Sequence, residues 1–318
     1  MKRLLFVMLV PLTLVAACVP AARVPADPPL LPGAFEAATV PFGPYQTYYE
    51  KVGRSGYAVL MLHGIGGGSS LFQYRNNAPA LADAAYEVYA LDLLGFGGSS
   101  RPAIRYTQDL HVAQIVDFIE TTIREPTVLV ANGLSAAYSI RVAAERPDLV
   151  SALVLTVPTG YDSLARPQND DRVEQFERFR GFVGDLLYGA LLGEDVQRIF
   201  LLDAYAERSN VTEDVVRSYD RNLRVPGARW VVFSFISGNL DQDVSAYWPE
   251  VTQPSLIVWG EDAETTPLED AEAFLAARPQ TTLVTLDGAK LLPNVERAAA
   301  FNEATIRFLA RRLARAAP

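Results

Sequence analysis

A chain of 318 residues, 50% apolar and 20% charged, holds enough apolar side chain to bury one large core, which excludes a disordered or repeat protein. A formal net charge of −9, from 28 basic and 37 acidic residues, repels phosphate backbones and excludes nucleic acid as a partner. A lone cysteine excludes an internal disulfide, and with only two histidines and no ligand-like cluster of carboxylates no metal or other cofactor is expected.

The chain opens with Lys2 and Arg3, an apolar run from Leu4 to Ala17, and then Cys18 in the stretch Val15-Ala16-Ala17-Cys18. The run is short for a membrane span and reads as a processed segment outside the fold. This pattern resembles a bacterial lipoprotein signal. The resemblance implies a signal peptide over 1–17, lipidation of Cys18, membrane attachment through that lipid, and an exported protein in the bacterial cell envelope. Val19 replaces the aspartate associated with inner-membrane retention, which implies the outer membrane or cell surface. A plain secretory signal or an uncleaved anchor is the alternative. Residues 18–43 are rich in proline and alanine, as in an extended tether, and place the start of the folded part near Pro44.

Tyr57 to Leu62 predicts a buried strand running into His63-Gly64. A helix from about Leu71 to Ala85 and a strand from Tyr86 to Leu91 follow. Next come a helical stretch from Gln108 to Arg124, a strand from Thr127 to Ala131, a helix stopped before Pro147, and a strand from Ala152 to Val157. This alternation implies a mostly parallel sheet with helices on both faces. Residues 161–251 are mainly of helical period and read as a cap inserted between core segments 44–160 and 252–318. The rhythm then resumes with Pro254 to Trp259, Leu268 to Ala277, Thr282 to Leu286 and a last helix from about Arg297 to Arg315. Arg307, Arg311, Arg312 and Arg315 suit that helix's C-terminal end, with a membrane-surface contact as the other reading.

Four segments carry a family resemblance: His63-Gly64-Ile65-Gly66-Gly67-Gly68, Tyr89 to Gly97, Ala143 to Val150, and Trp259-Gly260-Glu261. In order and spacing the chain resembles the α/β-hydrolase superfamily, in its capped branch of epoxide hydrolases, haloalkane dehalogenases and pheophytinase-like proteins. The resemblance implies the α/β-hydrolase fold with a helical cap and a nucleophile on a sharp strand-to-helix turn. Here Ala131-Asn132-Gly133-Leu134-Ser135-Ala136 spans that turn, and the gap-free register places Gly133 at the nucleophile position. A second register takes Gly133-Leu134-Ser135-Ala136-Ala137 as the elbow and makes Ser135 the nucleophile. It turns the following helix by about 200° relative to Ala143–Val150 and moves its apolar face off the sheet, so the first register is preferred.

By the same resemblance the acid position falls on Ala263, beside Asp262, and the histidine position on Leu291 within Gly288-Ala289-Lys290-Leu291-Leu292-Pro293. A Ser-His-Asp system fails without an imidazole, and no histidine follows His111. Backbone N–H groups of Ile65 and Leu134 fill the oxyanion-hole positions without regard to side chain. His63 reads as a structural part of its turn, and His111 as outward-facing or packed. The expected function is therefore a non-catalytic, envelope-anchored domain binding a small apolar ligand or an envelope protein under its cap. The alternative is an esterase-like serine hydrolase with Ser135 as nucleophile and Lys290 as base.

Overall fold

The computed structural model describes residues 29–161 and 163–313. The signal-like segment 1–17, Cys18 and the tether as far as residue 28 lie outside the described residues. Eight strands form one sheet in the order β1-β2-β4-β3-β5-β6-β7-β8. β1 (Glu36–Phe42) and β2 (Tyr45–Val52) form an antiparallel hairpin, and β2 runs antiparallel to β4. β3 (Ala58–Leu62), β4 (Glu87–Leu91), β5 (Thr127–Asn132), β6 (Val150–Thr156), β7 (Ser255–Gly260) and β8 (Thr282–Leu286) are mutually parallel. The central strands read as unbroken apolar runs because helices cover both of their faces. On one face lie α1 (Ala78–Asp83) and α11 (Ala298–Leu313), the latter preceded by the short α10 (Pro293–Glu296), and on the other α2 (Gln108–Phe118), α3 (Leu134–Glu145) and α9 (Ala271–Ala277). The α/β architecture expected from the alternation is thus the fold observed.

The hairpin departs from the expected layout, because β1 lies within the stretch assigned to the tether. Composition suggested a spacer, yet Pro41 sits in the edge strand, where a missing N–H need not break a ladder. The attachment reaches further upstream. Buried Glu50 accepts from the N–H groups of Leu30 and Leu31 at 2.8 and 2.7 Å and from the Tyr48 hydroxyl at 2.6 Å. Leu31 is buried in the core, so the domain begins by Leu30 and not near Pro44.

The helix expected over 71–85 is broken as well. A 3₁₀ turn at Leu71–Tyr74 is capped by the Asp92 carboxylate, which accepts the Leu71 N–H at 2.7 Å. Pro79 has no N–H to continue that turn and stands in the first turn of α1 instead.

Between β6 and β7 the chain forms the helical insertion: α4 (Asp170–Phe179), α5 (Phe182–Ala190), α6 (Glu194–Ala204), α7 (Glu213–Leu223) and α8 (Ala228–Ile236). Asn169 and Thr212 cap α4 and α7 through their side chains. α5 and α6 leave Phe182, Val183, Leu186, Leu187, Ile199 and Phe200 exposed. No helix among the described residues is long and apolar enough to cross a membrane.

Candidate active site

β5 ends at Asn132 and α3 begins at Leu134, so the whole turn between them is Gly133. Its φ of +56° and ψ of −121° lie where only glycine avoids a Cβ penalty, and a Cβ built there would meet nothing within 4 Å. The Gly133 N–H donates to the Thr156 carbonyl at 3.0 Å, and its own carbonyl accepts from Ala136 and Ala137 at 3.1 and 3.3 Å to start α3. The turn is sharp, held on both sides, and open above.

Ser135 is placed differently from the esterase-like alternative. It is the second residue of α3, fully buried, and its hydroxyl donates to the His63 carbonyl at 2.6 Å. That bond clamps α3 to the loop after β3. A nucleophile there would have to break it and reach substrate from inside the helix, so Ser135 is corrected to a structural residue.

The loop after β3 is set by Gly64, whose N–H donates to Gln73 Oε1 at 2.8 Å. A Cβ on Gly64 would stand 2.6 Å from Asn132 Oδ1, so a larger residue there would displace the Asn132 amide. Half-buried Ile65 follows. Among the described residues neither the Ile65 nor the Leu134 N–H has a protein acceptor. The Leu134 N–H is also the first of a 12-residue helix, where the peptide dipoles favour negative charge.

Three side chains that the sequence did not single out lock this loop and the one after β8. Gln73 Nε2 donates to the Tyr219 hydroxyl on α7 at 2.9 Å and to Ser69 Oγ at 3.3 Å, which joins the cap to the loop. Burial pushes the Tyr219 phenol above its ordinary range. Asn132 Nδ2 donates to the Leu291 carbonyl at 3.1 Å. Their partners lie 146 and 159 residues away, and nothing local in the sequence marks them.

Ala263, in the turn after β7, is buried, while adjacent Asp262 is exposed. Leu291, in the loop after β8, donates its N–H to the Ala204 carbonyl at 3.2 Å and packs on an apolar cluster that includes Leu201, Tyr205 and Leu292. Gly133, Ala263 and Leu291 therefore all follow the finishing ends of parallel strands, along one edge of the sheet. Lys290 does not fit the role of base. Its ammonium pairs with Glu264 at 2.8 Å, and that pairing raises its pKa, whereas a base needs it lowered.

Neither histidine is available as a base. His63 is fully buried, with Nδ1 2.9 Å from the Gly64 carbonyl and Nε2 accepting the Leu93 N–H at 3.1 Å, which fixes the proton on Nδ1. His111 packs among Phe96, Tyr106 and Tyr138, with Nε2 3.1 Å from the Leu94 carbonyl. Burial lowers both to about 4. Buried Asp92 holds the Leu71 and Gly98 N–H groups and is raised to about 6, again by burial. Gly97 must be glycine, because its Cβ would stand 1.8 Å from the Asp92 carboxylate. Among the described residues no group of three or more His, Cys, Asp or Glu side chains is arranged to hold a metal ion.

Known proteins show the same arrangement of elements. A 2-hydroxy-6-oxo-6-(2'-aminophenyl)hexa-2,4-dienoic acid hydrolase of Metapseudomonas resinovorans is 30% identical over 287 residues, which span 85% of this chain and 89% of the relative. A 2-(acetamidomethylene)succinate hydrolase of Mesorhizobium japonicum is 27% identical over 248 residues, 74% of this chain and 81% of the relative. The crystal structure of a serine hydrolase involved in carbazole degradation superposes with a TM-score of 0.68 at 26% identity, covering 87% of this chain and 99% of that one. These relatives correct the expectation of a non-catalytic binding domain, since chains alike over most of their length are named as hydrolases. The family described as α/β hydrolase fold matches residues 57–296. The chain belongs to the α/β-hydrolase fold family.

Proposed function

We propose that the protein is a hydrolase of small carbonyl compounds, activated esters, enol-lactones or the 2-hydroxy-6-oxo-dienoates named for its relatives, in which water attacks directly. The observation that carries this reading is the open space above Gly133 beside two unengaged amides, Ile65 and Leu134, in a chain related to hydrolases over most of its length. The substrate carbonyl oxygen accepts from both N–H groups, and water enters where a side chain at 133 would project. The oxyanion forms against the positive end of α3 and collapses, expelling the leaving group. Water supplies the proton that the leaving group takes up, and the products are the acid and the alcohol or enol.

Two limits follow from the absence of an imidazole in this scheme. An oxyanion hole with binding alone gives on the order of 10³–10⁴ over the reaction in water. Leaving groups that depart without a proton, such as phenolates and enolates, are favoured over alkoxides.

Leu134→Pro tests the scheme, because proline at the first helical position removes one N–H while suiting the helix. Hydrolysis of a p-nitrophenyl ester is expected to fall by about 10²–10³. Turnover no faster than buffer in folded wild-type protein would overturn the proposal. Fluorophosphonate labelling lost in Ser135→Ala would replace water by Ser135.

We also infer export and lipid attachment, supported by Lys2, Arg3, the apolar run 4–17 and Cys18. Cells fed an alkyne fatty acid are expected to label wild-type protein but not Cys18→Ser, and equal labelling of both would refute the inference.

A further inference from the structure

The proposed hydrolysis uses only one end of the sheet. The starting ends of β3, β7 and β8, at Ala58, Ser255 and Thr282, form the opposite pole. A groove of about 910 Å³ opens there between α11 and the last two strands. Leu256, Val284, Ala304 and Phe308 give it an apolar lining, and Arg307, Arg311 and Arg312 are its exposed rim. Glu303 on the same rim pairs with Arg307, whereas Arg311 and Arg312 have no acidic partner among the described residues.

The helix dipole accounts for cations in the last turn of α11 but not for the apolar groove beneath them. In a chain of net charge −9 the combination fits an anion carrying hydrocarbon. Elsewhere at this pole the cations Lys51 and Arg146 are matched by Glu87 and by Glu120 with Asp148.

Two more observations fall on the same pole. Phe35 and Tyr57 are 39% and 44% exposed, Arg54 lies over the Phe35 ring, and the Tyr57 hydroxyl donates to the Leu313 carbonyl at the end of α11. Exposed aromatics beside cations suit a headgroup layer. Glu50, near the end of β2, fixes Leu30 and Leu31 there, so the described chain begins at this pole.

We propose that this pole docks on an anionic phospholipid surface, with the α11 arginines on lipid phosphates and Phe35 and Tyr57 in the headgroup layer. The candidate active site then faces away from the bilayer. The inference stands apart from hydrolysis and holds for an inactive variant.

Hydrogen exchange of the full chain on phosphatidylcholine vesicles, with and without phosphatidylglycerol, tests it. Protection over 298–313 and 53–58 is expected only on the anionic vesicles and is expected to fade in high salt. The ratio of anionic to neutral partitioning should fall about fivefold for each of Arg307→Gln, Arg311→Gln and Arg312→Gln. The three lysine variants should retain it, and thermal unfolding identifies any variant that has lost its fold. Equal protection on neutral vesicles, an unchanged ratio in folded glutamine variants, or protection confined to 182–200 on the cap would overturn the proposal.

Discussion

A variant carrying Gly133→Ser, Ala263→Asp and Leu291→His together is expected to hydrolyse a p-nitrophenyl ester at least about 10³-fold faster than the wild-type chain, and to label with a fluorophosphonate. The turn already has the backbone that a nucleophile needs, and a Cβ at 133 meets no atom within 4 Å. The positive φ makes a side chain there cost roughly 1–3 kcal/mol of stability, which a folded domain can bear. An imidazole at 291 would stand among Leu201, Tyr205 and Leu292 and stays neutral in that surrounding until a carboxylate at 263 orients it. Such groups act as a unit, so each single variant is expected to gain far less than the triple. If the folded triple variant is no faster than wild type, positions 263 and 291 do not face 133 productively and the assignment of the three is wrong.

Acid is expected to weaken the fold between pH 6.5 and 4. His63 and His111 are held neutral down to about 4 in the native state, while the unfolded chain takes up both protons near 6.5. Their contribution is complete above 6.5 and declines as pH falls through the window, by about 3 kcal/mol for each residue. Asp92 acts in the opposite sense. Its native value of about 6 lies above its ordinary 3.8, so the folded state keeps a proton that the unfolded chain has released, and acidification returns about 3 kcal/mol. The two histidines outweigh the one aspartate, for a net loss of about 3–4 kcal/mol. Guanidinium unfolding at pH 7 and pH 4.5 measures this, with His111→Phe expected to flatten the dependence. Equal midpoints at both pH values would show that the buried rings protonate within the native structure.

The parallel core was legible because buried strands such as Val59–Leu62 and Val128–Ala131 are apolar at every position and end at glycine turns. The first hairpin was not. Its edge strand carries Pro41, none of that strand's residues is buried, and the buried Glu50 that holds the segment before it looks like any charged residue until Leu30 and Leu31 are seen to donate to it. At the site, the resemblance to the α/β-hydrolase motifs led to Gly133, Ala263 and Leu291, because each belongs to a local motif. Gln73, Asn132 and Tyr219 stayed hidden, since their work is done across the fold, on main-chain groups or on each other. Ser135 and Lys290 stood out by residue type alone, while the structure engages them elsewhere, with the His63 carbonyl and with Glu264.

The two hydrogen bonds that seat residue 291 both use its main chain, the N–H to Ala204 and the carbonyl from Asn132. The loop is therefore held in place whatever side chain it presents. A lineage could exchange that residue by drift, in either direction, without first passing through an unfolded ancestor. The scaffold separates the inheritance of its shape from the inheritance of its chemistry.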